Sequence, residues 1–264
     1  MWRRVELLSK AVTCFPRERQ DIGCSLMQDS PATTRIAGVD LAWGDRRPDG
    51  VCVLEANRKR ARLLALGLTQ GDDDLLAFLD RHLGGSHAFI AMDAPVVCRN
   101  REGARPVDRL THVHFGRFKA GSHPCNLTRC RRPPRVAAQL RERGFTIGTN
   151  GRRILAEVYP HPAMVRLFGL SERIPYKRGR VEARRGEFRR LQAELRTCLA
   201  AHFPALEMSA ELARLLDLPW TKNIEDQTDA FFCALIGYWH WLHRGEKSEM
   251  LGETVTGFIL IPRP

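Results

Sequence analysis

Long hydrophobic runs, paired cysteines and a glycine-rich phosphate loop are all missing from this chain of 264 residues. Each absence removes a class of function. No apolar stretch approaches the roughly 20 residues that span a bilayer; the longest, 230–242, carries Tyr238 and His240 and reads as a core helix. The eight cysteines, at 14, 24, 52, 98, 125, 130, 198 and 233, are scattered and several lie in apolar runs. That pattern argues against a disulfide framework and for a reducing, cytoplasmic location. Cys98, His112, His114, His123, Cys125 and Cys130 are near one another, but without a Cys-x-x-Cys pair the spacing is poor for structural zinc. No Gly-x-x-x-x-Gly-Lys segment supports an ATP-dependent phosphotransferase. Aromatics suited to base stacking are few, with Trp43 and Phe118 the candidates.

Acidic residues are also scarce where basic ones crowd. The formal net charge is +12 and the sequence pI is near 9.9. Between Arg99 and Arg153 stand 14 basic residues, 13 Arg and Lys119, against Glu102, Asp108 and Glu142. Clustered bases suit a nucleic-acid partner, whose phosphates release counterions on binding. Solvated arginine surfaces would give the same balance, so charge alone does not decide.

Residues 1–34 lack a continuous apolar stretch, which excludes a secretory signal. Glu6, Glu18 and Asp21 speak against a transit peptide. This segment is expected to be a poorly ordered extension, with Met27 a possible translation start. Residues 35–264 are expected to form one α/β domain.

Short strands are predicted over 36–41, 50–55 and 62–68, joined so closely that they must be antiparallel neighbours. A helix over 72–83 and a fourth strand over 87–92 complete a β-β-β-α-β opening. A basic, loop-rich insertion is expected from about 95 to 134. A helix over 135–143, a fifth strand over 153–158 and a short proline-led helix over 162–168 follow. A long amphipathic helix is predicted over 184–203. The last helix is predicted over 224–243, capped by Asn223, with a final strand near 255–261.

Carboxylates end three of the apolar runs. Asp40 closes Ile36-Ala37-Gly38-Val39, Asp93 closes Phe89-Ile90-Ala91-Met92, and Glu157 follows Ile154-Leu155-Ala156. A lone carboxylate is expensive to bury there. Singly, each reads as a turn residue or helix cap; together at one sheet edge they make the oxygen-rich pocket that Mg²⁺ prefers. Asp226 and Asp229 share one face of the last helix at i, i+3. Their plain reading is compensation of the helix dipole. Small residues behind them (Ala230, Cys233, Ala234, Gly237) let the helix lie close on a sheet and bring the acids to the strand ends.

Gly38-Val39-Asp40-Leu41-Ala42-Trp43-Gly44, Met92-Asp93-Ala94-Pro95, Glu157-Val158-Tyr159-Pro160-His161-Pro162-Ala163 and the segment from Asp226 to Ala230 occur in that order. Together they resemble domain-of-unknown-function family 429, predicted nucleases of the RNase H-like fold. The resemblance runs from about residue 35 to the C-terminus, and the Glu-Val-Tyr-Pro-His-Pro stretch is its most specific piece. It implies a five-stranded mixed sheet, three antiparallel strands then two parallel ones, with helices on both faces. It implies a metal-dependent nuclease in which Asp40, Asp93, Asp226 and Asp229 hold two Mg²⁺ or Mn²⁺ about 4 Å apart, with Glu157 either completing the set of ligands or standing behind them. His161 is then placed to position a phosphate or protonate a leaving group. Arg105, Asp108, Arg117, Lys119 and His123 fall in the insertion expected to overhang the site and contact substrate. Junction-cutting relatives work as dimers, so a homodimer is possible. The non-enzymatic alternative is a basic nucleic-acid-binding module whose acids are remnants.

Overall fold

A computed structural model describes residues 33–85 and 87–264. The expected disorder of the N-terminal extension and the possible start at Met27 lie outside the described residues. The first strand, β1 (Thr34–Asp40), runs antiparallel to β2 (Asp49–Ala56), which pairs in turn with β3 (Ala61–Thr69). Helix α1 (Gly71–His82) then carries the chain across to β4 (Ala88–Met92), parallel to β1. The opening order is as predicted from the strand pattern.

The sheet has six strands rather than five. Their order is β3-β2-β1-β4-β6-β5, where β6 is Arg153–Glu157 and β5 is the two-residue strand Thr146–Ile147. So short a pairing at a sheet edge leaves no period-2 pattern to read. Strands β1, β4 and β6 are buried on both faces, as parallel strands with helices above and below must be. Alternation assigns the faces. Ile36, Cys52, Leu54, Phe89 and Ala91 point into one core with the last helix, while Ala37, Val39, Val51, Val53 and Ile90 point into the other with α1.

The expected loop-rich insertion contains a helix, α2 (Pro106–Phe115), and is followed by α3 (Arg132–Glu142). Helix α2 exposes Leu110 and Val113, so its apolar stripe is broken. Helix α4 (Pro160–Leu167) starts at the first proline of Pro160-His161-Pro162, and α5 spans Val181–His202. A short helix, α6 (Ala210–Leu215), precedes the last helix, α7 (Lys222–Leu242). Its cap is Thr221 rather than Asn223: the Thr221 hydroxyl accepts from the Ile224 N–H at 3.2 Å. Asp226 and Asp229 therefore sit beyond the first turn. The expected final strand is one arm of a separate hairpin, β7 (Ser248–Glu253) and β8 (Gly257–Pro262), packed with α2 around Val107, Phe115 and Ile259. Among the described residues no helix is long and apolar enough to cross a membrane.

Helix α7 lies on β1 and β2 with no side chain between them at two points. A Cβ on Gly38 would stand 2.0 Å from the Ala230 carbonyl oxygen, and one on Gly50 would stand 2.0 Å from that of Asp226. Glycine is the residue that permits such an approach. The contact fixes how far α7 extends over the edge where β1 and β4 end.

Candidate carboxylate centre

Strands β1 and β4 are in register from Arg35 with Ala88 to Val39 with Met92. Asp40 and Asp93 thus occupy equivalent steps at the same edge, and the Asp93 N–H donates to the Val39 carbonyl at 2.8 Å. Chain connections leave β1 toward β2 on one side and reach β4 on the other. The crevice beyond the carboxyl ends of strands at such a switch point is where open α/β sheets bind ligands. Asp226 and Asp229 come down onto this edge from α7. Asp40 lies within hydrogen-bonding reach of Asp226, and Asp93 feels the charges of Asp40, Asp229 and Glu157.

Four aspartates so placed demand positive charge. Burial pushes Asp40 up to about 6, with Lys177 pulling down and Asp226 adding to the rise. Burial likewise raises Asp229 to about 6 and holds Asp93 well above 3.8. Asp226 is raised by burial against the pull of Lys222. Two ammonium groups answer. Lys177 Nζ stands 2.7 Å from Asp229 Oδ2, and the Tyr176 hydroxyl donates to Asp229 Oδ1 at 2.6 Å. Lys222 Nζ stands 2.6 Å from Asp226 Oδ1 and 2.7 Å from Glu225 Oε1. Burial alone would lower the Lys177 pKa; Asp229, Tyr176, Asp40 and Asp93 overrule it and hold the ammonium well above its ordinary value.

None of Tyr176, Lys177 and Lys222 was expected from sequence as part of the centre. Lys222 carries a signal, four residues before Asp226 on the same helix face. Lys177 lies in a loop far along the chain from all four acids, and no local spacing marks it.

Glu157 shares the edge but is committed elsewhere. Met92 pairs with Glu157 across β4 and β6, which brings its carboxylate under the insertion. There Arg105 donates to Oε1 at 2.6 Å and to Oε2 at 2.8 Å, and the Val96 N–H donates to Oε2 at 3.1 Å. Burial pushes Glu157 up to about 7 while Arg105 pulls it back. Arg105 also holds Asp108 at 2.9 Å and the Val97 carbonyl at 2.9 Å. Both Arg105 and Asp108 are 1% exposed. Expected to contact substrate, these two residues form a buried fork that ties the insertion to β6, and Arg105 also lines the small cavity beside Asp93. Asp108 further accepts from the N–H groups of Arg105 and Cys125, each at 2.9 Å.

The other expected residues divide. His161 is buried, edge-on to Tyr159 and Tyr176 with ring centroids 5.5 and 5.9 Å away. Burial, with Lys177, Arg173 and Arg178 nearby, presses its pKa well below 6.5. It is neutral at pH 7, which suits orientation rather than proton donation to a leaving group. His123 lines a small cavity of ≈ 60 Å³ with Asp93, Trp43 and Tyr159. Arg117 lies over the Phe118 ring at 4.5 Å, and exposed Lys119 pairs with Glu172; neither lines the cavities beside the acids.

A larger cavity of ≈ 680 Å³ opens beside Asp40 and Asp226, walled by Trp43, Arg46, Arg47, Lys177 and Lys222. The loop bearing Trp43, Arg46 and Arg47 is pinned at its base. Arg132 donates to Asp49 at 2.7 and 2.6 Å and to the Ala42 carbonyl at 2.8 Å, and the Ala42 N–H donates to Asp49 at 2.8 Å.

Fold and site together define a mixed α/β protein with a carboxylate centre at its sheet switch point, opening into a cleft lined by arginine, lysine and aspartate. Residues 38–254 match the family described as Protein of unknown function (DUF429), and the chain belongs to that family. No curated protein and no solved structure matches it.

Proposed function

We propose that this protein is a Mg²⁺- or Mn²⁺-dependent nuclease of RNase H-like architecture, acting on the phosphodiester backbone of nucleic acid. The observation that carries the reading is the convergence of Asp40, Asp93, Asp226 and Asp229 at one strand edge, with Asp40 and Asp226 opening into a cleft that Arg46, Arg47, Lys177 and Lys222 also line. The donor set fits the metal. It is all oxygen and anionic, the chemistry of hard divalent cations, and burial raises the pKa values of Asp40 and Asp229 even with Lys177 beside them. Among the described residues no three acidic, histidine or cysteine groups stand close enough as they are to hold an ion. The lysine ammonium groups stand at Asp226 and Asp229 instead, so binding requires exchange of a lysine for a metal.

Asp40, Asp93, Asp226 and Asp229 are the residues that would hold the metal. Once bound it would supply a nucleophilic water at neutral pH and neutralise charge on the departing oxygen. The chain's own residues do the rest. Lys177 and Lys222 line the same cavity as Asp40 and can turn from the acids to phosphate oxygens. Arg46 and Arg47 offer planar donors for the neighbouring phosphates. His161, neutral and buried, and Tyr176 hold the packing behind Asp229 and Lys177.

The lysine pairing favours one alternative, a non-catalytic module of the same fold that binds nucleic acid with its acids closed. Cleavage of labelled single-stranded, duplex and branched DNA and RNA with Mg²⁺ or Mn²⁺ decides between them. The nuclease cuts only with metal, and Asp40→Asn and Asp93→Asn abolish the cutting. Retained binding with no cutting of any substrate leaves the module.

A further inference from the structure

The large cavity beside Asp40 continues into a second, of ≈ 510 Å³, and the two share Arg47, Pro48, Lys177, Lys222 and Asp226. Each falls within the roughly 300–1,000 Å³ of ordinary ligand pockets. The two ends are alike in chemistry. Trp43 lines the first cavity and not the second, and Trp220 lines the second and not the first. Trp43 is 37% exposed and follows Ala42, whose carbonyl Arg132 pins. Trp220 has its indole N–H fixed by Glu225 at 2.7 Å and carries Arg184 above its ring at 5.6 Å. Exposed Arg47, with Lys177 and Lys222, lines both cavities, while exposed Arg46 and Asp45 line the first.

An indole at either end with cations between them is the arrangement that grips a flexible polyanion bearing flat rings. We propose that this cleft binds a single-stranded nucleic acid, with a base stacked on Trp43, its backbone along Arg46, Arg47 and Lys222, and a further base at Trp220. The inference deepens the nuclease reading and rests on it for the identity of the polyanion. In a duplex the base faces are already stacked on one another, so neither indole has a ring to meet. In a single strand they are free, and stacking contributes about 1–3 kcal/mol per base. Arg46 and Arg47 are exposed while Asp226 is buried, so the walls hold the strand's phosphates and the acids face one linkage. Trp220 packs against the core on one side, so a base reaches its ring only if Arg184 gives up its hydrogen bond to the Gly179 carbonyl and swings away.

Fluorescence anisotropy on the full chain in EDTA tests this without hydrolysis, using 5′-labelled single strands of DNA and RNA and their duplexes. Single strands of at least one of the two kinds bind tenfold or more tighter than the matching duplex. Trp43→Ala weakens that binding about 5- to 150-fold, the range that ~1–3 kcal/mol of stacking gives. Trp43→Phe, which keeps a ring, recovers most of it, and duplex binding is unchanged by either. Arg47→Ala flattens the salt dependence by about 0.7 in log–log slope, one phosphate contact on a single strand. Arg214→Ala, which removes an exposed charge on α6, does not. Equal binding of duplex and single strand, or a Trp43→Ala protein that binds single strands like the wild type, overturns the inference. The nuclease reading survives that result if metal-dependent, Asp40-dependent cutting of duplex is seen. Conversely, Trp43-dependent single-strand binding with no cutting sinks the nuclease and keeps the cleft.

Discussion

Lys177 Nζ lies 2.7 Å from Asp229 Oδ2, while the hydroxyl of its neighbour Tyr176 is 2.6 Å from the other oxygen of the same carboxylate. Two adjacent loop residues thus close the acid centre from outside α7. The ammonium group stands where the charge of Asp40, Asp93 and Asp229 is concentrated.

Removing that ammonium exposes the repulsion it relieves. Lys177→Met lowers stability at pH 8 by about 1–3 kcal/mol, since it leaves buried acids without their partner. Mn²⁺ restores most of the loss by taking the vacated place. Thermal unfolding with and without metal measures both effects, and a metal-insensitive loss would mean that the acids do not bind a cation.

Asp40→Asn has the opposite sign. The folded pKa of Asp40, about 6, exceeds its ordinary 3.8, so the folded state holds the proton more tightly than the unfolded chain. The carboxylate therefore costs stability that is fully felt above pH 6 and disappears as pH falls toward about 4. Asn at this position raises stability by up to about 3 kcal/mol at pH 8 and by progressively less in acid, while abolishing cleavage. Denaturant titrations across pH check the slope; a variant less stable than wild type at pH 8 contradicts it.

Arg105 separates a structural fork from a phosphate grip. Arg105→Ala leaves Glu157 and Asp108 buried without compensation and costs about 3–5 kcal/mol. Unfolding midpoints read the loss directly. A substrate-binding arginine would instead leave stability untouched and raise KM.

Gly50→Ala tests whether α7 must lie so close. Its Cβ would stand 2.0 Å from the Asp226 carbonyl oxygen, a backbone atom that moves only with the helix. A loss of about 1–3 kcal/mol together with loss of metal binding is expected. Gly67→Ala, on the neighbouring β3 with open space around the added methyl, leaves metal binding unchanged.

The first four strands in chain order, and the place of Asp40 and Asp93 at strand ends, were legible because apolar runs ending in a carboxylate are local patterns, whereas the two-residue edge strand β5 left no such pattern. The close seat of α7 was legible from Ala230, Ala234 and Gly237, although Gly38 and Gly50 on the other side carry the tightest contacts. Helix α2 was not legible, because Leu110 and Val113 face solvent and its buried positions include Asp108 and Thr111. The partners of the acids were hidden for a different reason. Lys177 meets Asp229 across 52 positions and Arg105 meets Glu157 across 52, and no periodicity in either segment foretells an ion pair at that separation. Arg105 and Asp108 read as substrate contacts of an overhanging insertion, and only the fold turns them inward.

The most direct test is Mn²⁺ binding at pH 8, followed by calorimetry or electron paramagnetic resonance, in wild type beside Asp40→Asn and Asp93→Asn. Binding in the wild type that weakens at least tenfold in both variants is the result predicted for a carboxylate centre that exchanges lysine for metal. A wild-type protein that binds no Mn²⁺, or that binds it equally well without either carboxylate, contradicts the account.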